Sequence, residues 1–135
     1  MNIELSKKEF RRLLDLIYVG NWILNSTRGN DRFEDYDFLQ EKLFALCQRN
    51  GMPSLVQSWH GHIFPSRAYE EGCIHEAIAD YEDAVFFNIL AEELARRDLG
   101  YENSDPEDFT ELQARMEEYM AEFEKNGLNT ISIDI

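Results

Sequence analysis

Hydrophobic side chains recur every three or four residues along most of the chain, and this period predicts a mainly α-helical protein. The four principal helices are expected at residues 7–25, 31–50, 73–99 and 105–126. The last one has Asp105 as its N-cap and Pro106 at its first position, a pattern typical of helix starts. No repeat and no linker divides the sequence, so we expect a bundle-like single domain that covers residues 1–135.

The first predicted helix, residues 7–25, has a broad apolar face and is expected at the centre of the core. Ser6 and Glu9 have the spacing of a capping box. Gly20 predicts a close approach by another backbone, because glycine inside a helix costs about 1 kcal/mol relative to alanine. The predicted inward face consists of Phe10, Leu13, Leu14, Leu16, Ile17, Gly20, Ile23 and Leu24. The predicted opposite face contains Arg11, Asp15, Tyr18, Trp22 and Asn25.

The third predicted helix, residues 73–99, is apolar on several faces in its second half and is expected to be the most deeply buried. Nearly complete burial is predicted on this helix and the first for Phe86, Phe87, Leu90, Leu13, Ile17 and Leu24. Tyr81, Asn88 and Glu92 share a predicted core-facing stripe, and Arg96 lies one turn beyond Glu92. Because a buried carboxylate is costly unless it is paired, this stripe indicates either a structural polar network or a pocket for a small polar ligand.

Alternating apolar residues at the two ends of the chain predict a small two-stranded β element. Ile3 and Leu5 alternate with polar residues near the start, and residues 128–135 alternate at the end. Because strands need backbone partners, we expect these N- and C-terminal segments to pair with each other.

The middle of the chain has no clear helical period. Residues 54–66 are apolar and β-prone in places, but Gly61 and Pro65 interrupt them. This favours a loop folded back over the core, with a short helix or strand inside it as the alternative. A short helical segment should follow and should break at Gly72.

The acidic residues are concentrated in the later part of the chain. The protein has 135 residues and a formal net charge of −14, and its 44% hydrophobic and 13% aromatic content indicates a globular chain. Residues 1–50 contain eight acidic and eight basic side chains, whereas residues 51–135 contain nineteen and five. This distribution argues against binding to nucleic acids and to anionic membranes, because both surfaces attract positive charge.

The two cysteines, Cys47 and Cys73, form no CxxC pair, which favours a reduced, cytoplasmic protein. Basic residues followed by an apolar run near the start resemble a signal peptide. Asp15 interrupts that run, however, and no small-residue cleavage site follows it, so we expect no signal peptide. The run is also too short to span a bilayer.

Three histidines close together in the sequence are the main candidates for metal chemistry. His60, His62 and His75 lie near Cys73 and several glutamates, and imidazole, thiolate and carboxylate are zinc ligand types. Their spacing matches no zinc finger, and the sequence contains no HExxH. We therefore expect these histidines to pack against the core without converging on a metal, and no cofactor is predicted.

The sequence favours a non-enzymatic protein–protein interaction module, of an inhibitor, immunity or regulatory type, that binds a partner with a basic surface. Its binding face is predicted on the last helix, where Glu111, Glu118 and Glu122 recur at helical spacing. Acidity that serves only solubility is the simpler alternative. The other alternative is a metal- or small-ligand-binding helical protein, enzymes included, that uses residues 60–76. A homodimer is compatible with each of these hypotheses, and no motif in the sequence identifies a family.

Overall fold

The computed structural model describes residues 1–101 and 109–135, and this part of the chain is mainly α-helical with a small two-stranded antiparallel sheet. Its helices are α1 (Lys7–Asn25), α2 (Glu34–Ala45), the short α3 (Arg67–Tyr69), α4 (His75–Leu99) and α5 (Phe109–Asn126). Strands β1 (Val56–Trp59) and β2 (His62–Pro65) lie between α2 and α3 in the sequence. The predicted fold class is confirmed, whereas the helix start predicted at Asp105 and Pro106 lies outside the described residues.

Contacts between residues divide the chain into two compact units, Met1–Ile78 and Ala79–Ile135. The first unit contains α1, α2, the hairpin formed by β1 and β2, α3 and the first turn of α4. The second contains the rest of α4 and α5. Each unit has its own set of buried apolar side chains.

The start of α1 is fixed by the predicted capping box. Ser6 N–H donates to Glu9 Oε2 at 2.7 Å, and Glu9 N–H donates to Ser6 Oγ at 3.2 Å. The Glu9 carboxylate is stabilised in its ionised form mainly by the Ser6 backbone N–H and secondarily by the Ser6 side chain. Both interactions lower the pKa of Glu9. The helix then covers Lys7–Asn25, the range that the sequence predicts.

The inward face of α1 differs from the predicted one. Its buried residues are Phe10, Leu14, Tyr18, Asn21 and Asn25. The prediction is therefore wrong for Tyr18 and Asn25, which it placed outward, and for Leu16 and Ile23, whose side chains are exposed. Among the described residues outside the adjacent turns of α1, no heavy atom lies within 4 Å of where a Cβ on Gly20 would be, so the close backbone approach predicted there is wrong too. Apolar periodicity alone could not place this face, because two of its five positions are hydrogen-bonded asparagines.

The core of the first unit surrounds Tyr69, which is fully buried although it belongs to the short helix α3. Its ring packs edge-on against Phe44 and Tyr18, with centroids 5.0 and 5.2 Å away. Its hydroxyl donates to Asp15 Oδ1 at 2.9 Å, and burial together with this hydrogen bond raises the pKa of Tyr69. The core cluster consists of Phe10, Leu14, Tyr18, Phe44, Cys47, Met52, Tyr69 and Ile78.

The two strands form a hairpin in the middle of the chain. They pair antiparallel, with Trp59 opposite His62 next to the turn. The two turn residues, His60 and Gly61, have φ angles of 49° and 79°, the left-handed conformation that a tight two-residue hairpin turn needs. Within the segment predicted as a loop or a short element, the strand alternative is therefore confirmed.

The prediction that the β element comes from the chain ends is wrong. Residues 1–6 and 131–135 have no regular secondary structure, and the apolar side chains of Ile3 and Ile133 are exposed. The physical reason is loop closure, whose entropic cost rises with the length of chain between the strands. A hairpin closes over two residues, whereas pairing the ends closes a loop almost as long as the chain.

A break separates α3 from α4, as Gly72 predicts. Ser66 caps α3, because its side chain accepts a hydrogen bond from Tyr69 N–H at 3.2 Å. Glu70–Ile74 forms one wider turn in which Gly72 and Cys73 depart from helical geometry. Cys73 has a φ of 78°, a conformation that residues with side chains rarely adopt.

In the second unit, α4 and α5 bury a narrow stripe of side chains. Ala91 and Ala95 of α4 and Leu112 of α5 are fully or almost fully buried. Phe87 contacts the buried Phe123, with ring centroids 5.4 Å apart. The apolar contact therefore covers one face of each helix.

The near-complete burial predicted for six residues is wrong. Phe86 is 48% exposed. The other five are only partly buried: Phe87, Leu90, Leu13, Ile17 and Leu24. Within the second unit as described, α5 is the only long helix besides α4, and one neighbour covers one face of a helix. The additional apolar faces of α4 therefore do not indicate deeper burial.

We expect Leu14→Ala to lower the free energy of unfolding by about 2–5 kcal/mol, because the Leu14 side chain is fully buried in the first-unit core. Urea denaturation measures the change. The matched control is Leu16→Ala, since Leu16 lies on the same helix and is 72% exposed. It should change the free energy by less than about 0.5 kcal/mol. Equal losses from the two variants would contradict the observed orientation of α1.

Candidate functional site

A groove of about 590 Å³ lies between α1, α2 and β2 in the first unit. Its lining includes Tyr18, Asn21, Trp22 and Asn25 of α1, Asp37, Phe38, Gln40 and Glu41 of α2, and His62, Ile63 and Phe64 of β2. Ligand sites in proteins are typically concave, occupy about 300–1,000 Å³ and combine apolar walls with a few polar groups. The groove is therefore the first candidate for a functional site.

The side chain of Asn25 forms the base of the groove. It is almost completely buried, and its amide donates to Asn21 Oδ1 at 2.7 Å and to the Phe33 carbonyl at 3.1 Å. Its Oδ1 accepts from Phe33 N–H at 2.8 Å. Asn21 in turn donates to Asp37 Oδ1 at 3.0 Å and to Gln40 Oε1 at 3.2 Å. These hydrogen bonds fix the end of α1 against the start of α2.

Arg32 and Asp37 neutralise each other at one end of the groove. The Arg32 guanidinium donates to both carboxylate oxygens of Asp37, at 2.9 and 2.8 Å, and also to the Asn25 carbonyl at 3.2 Å. The hydrogen bonds from Arg32, and then that from Asn21, lower the pKa of Asp37. This carboxylate is therefore committed to the fold as an acceptor.

Glu41 joins α2 to the hairpin. Its carboxylate accepts from Ile63 N–H at 2.9 Å, and His62 Nδ1 lies 3.2 Å from the same oxygen. The backbone hydrogen bond from Ile63, followed by the contact with His62, lowers the pKa of Glu41. The carboxylate therefore stays ionised at neutral pH, and its negative charge faces the groove.

An aromatic cluster lies beside the groove, at the junction of α1 with the start of α4. The Tyr18 hydroxyl is 2.7 Å from His75 Nε2 and donates to Glu70 Oε1 at 3.4 Å. The ring of Trp22 packs against that of His75 with centroids 4.9 Å apart. Burial, reinforced by the Glu70 carboxylate, raises the pKa of Tyr18 to about 12.

The three candidate metal-ligating histidines have three different sets of neighbours. His60 lies in the hairpin turn against the Trp59 ring, His62 contacts Glu41, and His75 contacts Tyr18. Across residues 1–101 and 109–135, no group of three or more histidine, cysteine, aspartate or glutamate side chains is arranged to hold a metal ion. The structure brings only His62 into the groove.

The predicted buried polar cluster on α4 is wrong. Tyr81 is 59% exposed, and Asn88 is exposed with its amide donating to the Ala84 carbonyl at 2.9 Å. Glu92 is only partly exposed and accepts from Arg96 Nε at 2.9 Å. The reason is the same as for Phe86: the stripe of α4 that carries these residues has no covering neighbour among the described parts of its unit.

The second candidate site is the acidic surface of the second unit. Residues 79–135 contain sixteen acidic and four basic side chains, a net charge of −12, compared with −2 for residues 1–78. Glu111, Glu118 and Glu122 lie on one face of α5, and the first two are exposed. Glu122 is partly buried and accepts from Asn126 at 2.7 Å and from Thr130 at 2.9 Å.

The arginines of the second unit are paired with its own acids. Arg97 and Arg115 donate to Asp98, each with a contact of 2.8 Å, and the Tyr119 hydroxyl donates to the same carboxylate. The hydrogen bond from Tyr119, followed by those from the two arginines, holds the pKa of Asp98 well below its usual range. Arg96 pairs with Glu92 in the same way. Arg115 also donates to Glu118, so one acid of the predicted binding face has an arginine partner. The sixteen acidic side chains of the unit still outnumber its four basic ones.

Apart from His62, sequence patterns did not single out the groove residues as a candidate site. Asn21 and Asn25 offer a signal, since two asparagines four residues apart on a helix otherwise rich in apolar residues are candidates for a buried hydrogen-bonded pair. Glu41 offers none, because its role depends on the position of Ile63 in a strand twenty-two residues later.

No protein-family model matches this chain, and neither the curated proteins nor the solved structures contain a match to it. Among the helices in the described part of the chain, none is both long enough and apolar enough to cross a membrane.

We expect Asn25→Ala to lower the free energy of unfolding by about 1–3 kcal/mol, because it leaves buried hydrogen-bonding groups of Asn21 and Phe33 without partners. Chemical denaturation measures the loss. Asn30→Ala, at an exposed position in the same α1–α2 connection, is the control and should stay within about 0.5 kcal/mol of wild type. A neutral Asn25→Ala variant would show that this network does not hold the two helices together.

The raised pKa of Tyr18 predicts a loss of stability at alkaline pH. Its ordinary pKa is 10.0, and in the folded protein it is about 12. Between these values the folded state retains a proton that the unfolded state releases, so the contribution of Tyr18 to stability should be constant below pH 10 and fall as the pH rises towards 12. Denaturation midpoints across this range measure the effect. Tyr18→Phe should make the loss of stability with rising pH shallower. The loss that remains in this variant is due in part to Tyr69, whose pKa is also raised. An unchanged slope in Tyr18→Phe would contradict the attribution of the loss to Tyr18.

Proposed function

We propose that this chain is a non-enzymatic interaction protein, of an inhibitor, immunity or regulatory type, that binds a partner with a basic surface through the acidic face of α5. The supporting observation is the separation of charge between the two units: −12 in residues 79–135 and −2 in residues 1–78. A charge requirement for solubility alone would be met by an even distribution over the surface.

The four basic residues of the second unit compensate only part of its negative charge. Arg97 and Arg115 are both bound to Asp98, and Arg115 also donates to Glu118. Glu118 and Glu122 are four residues apart on α5, a spacing at which like charges repel by about 0.2–0.5 kcal/mol, and Glu111 lies two turns before Glu118 on the same face. A partner with clustered lysines or arginines would relieve this repulsion and would be attracted over roughly 8 Å at physiological salt.

The geometry of the groove favours binding over acid–base catalysis. Asp37 and Glu41 are held as hydrogen-bond acceptors, and the pKa of each is lowered. A general acid or base at neutral pH usually needs a carboxyl group whose pKa is raised towards 7. The Glu41 carboxylate is thus suited to holding a ligand, and small-ligand binding in the groove is the second candidate function.

A cytoplasmic location is part of the proposal, because Cys47 and Cys73 are both free thiols. The negative field disfavours nucleic acids and anionic membranes as partners. A homodimer is compatible with the proposal, since binding through α5 leaves the first unit available for contacts with a second copy.

Charge reversal on α5 tests the proposal. The variant Glu111→Lys, Glu118→Lys, Glu122→Lys should retain little of the basic protein that wild type captures from native cell extract at low salt. With that partner purified, its association rate should fall severalfold at low salt and should approach the wild-type rate as salt screens the field. Surface plasmon resonance at several salt concentrations measures these rates.

The matched control changes the net charge equally on the first unit: Glu4→Lys, Asp35→Lys, Glu71→Lys, all at exposed positions. This variant should bind the partner at close to the wild-type rate, and circular dichroism should show that both variants are folded. Equal slowing by the two variants would indicate a general charge effect, and a wild-type rate that does not depend on salt would contradict the proposal.

A further inference from the structure

We infer that the groove between α1, α2 and β2 binds the guanidinium group of an arginine side chain presented by a peptide. The first observation is charge. Arg32 and Asp37 cancel each other through two hydrogen bonds, so Glu41 supplies the remaining carboxylate of the groove lining. A single negative charge in a partly enclosed site attracts a single cationic group.

The aromatic side chains of the groove fit the same ligand. Trp22 lines it from α1, and Phe38 and Phe64, which are 61% and 42% exposed, line it from α2 and β2. A guanidinium group is flat and weakly hydrated, and it stacks on aromatic faces while donating to a carboxylate. An ammonium group is compact and more strongly hydrated, so it gains less from contact with aromatic faces.

Polar groups beside Glu41 extend the site. Gln40 presents its side-chain amide to the groove and uses its Oε1 as an acceptor for Asn21, and Ser26 adds a hydroxyl at the end of α1. Guanidinium has five N–H donors and therefore needs several acceptors in one plane. Ile63 N–H holds the Glu41 carboxylate and Asn21 holds the Gln40 amide oxygen, and these two groups together with the Ser26 hydroxyl are the acceptors that the groove offers.

The groove is large enough for an arginine side chain together with part of a peptide. A volume of about 590 Å³ exceeds that of a single arginine side chain and leaves space for the adjoining peptide backbone. Elsewhere in the first unit, the chain holds its own arginine in the same way: Arg28 lies 4.3 Å from the centre of the Phe33 ring and donates to Asp31 at 3.0 Å.

This site is separate from the acidic face of α5, and the two can be tested independently. The chain has two tryptophans, Trp22 in the groove and Trp59 in β1, so the variant Trp59→Phe leaves Trp22 as the only tryptophan. Its fluorescence then reports on the groove. The probes are the capped tripeptide acetyl-Gly-Arg-Gly-amide and its citrulline analogue, which has nearly the same shape but no charge.

We expect the arginine peptide to bind Trp59→Phe about tenfold more tightly than the citrulline peptide, because a hydrogen bond to a charged group contributes about 1–1.5 kcal/mol more than a neutral one. Equal affinities, or no fluorescence change with either peptide, would overturn the inference. Adding Glu111→Lys, Glu118→Lys and Glu122→Lys should leave the affinity unchanged. A loss with these substitutions would place the peptide on α5 and also overturn the inference.

Two further variants locate the site. In Glu41→Gln, the new amide oxygen can still accept from Ile63 N–H. This variant should bind the arginine peptide about tenfold more weakly, because it lacks the carboxylate charge. The control Glu34→Gln, at the exposed start of α2, should leave the affinity for the arginine peptide unchanged. Phe38→Leu alters a mostly exposed wall residue and should weaken binding severalfold without affecting the core. Should Glu41→Gln fail to fold, Phe38→Leu decides: unchanged binding in this variant would contradict the proposed stacking.

Discussion

The buried amide of Asn25 is the interaction on which the groove depends. Without its three hydrogen bonds to Asn21 and Phe33, burial of a polar group would destabilise the first unit. With them, the end of α1 is held at a fixed distance and angle from the start of α2. The groove then follows as the space between two helices that meet at one end, closed on a third side by β2.

The two units differ in the way they use charge. In the first unit, positive and negative groups nearly cancel, and its carboxylates Asp37 and Glu41 act as acceptors that connect elements of secondary structure. In the second unit, the acids outnumber the basic residues fourfold, and Asp98 alone accepts from both Arg97 and Arg115. The proposed specific contact with a ligand therefore lies in the groove, and the proposed long-range attraction of a partner comes from residues 79–135.

The errors of prediction have a common origin in neighbours that lie far apart in sequence. For α1, apolar periodicity selected a face containing Leu16 and Ile23, whereas the helix buries Asn21 and Asn25 because acceptors and donors of α2 and its preceding loop lie opposite them. For α4, apolar residues on several faces predicted deep burial. Helix α5 covers one of those faces within the described part of the unit, and Phe86 stays exposed.

Composition alone established the uneven charge. The capping box of Ser6 and Glu9, the extent of α1 and the break at Gly72 were predicted correctly because they depend on residues a few positions apart. Contacts between distant parts of the chain, in contrast, determine which face of each helix is buried and where Glu41 meets the hairpin. Those outcomes depend on groups brought together from distant parts of the chain, and no local pattern specifies which groups these are.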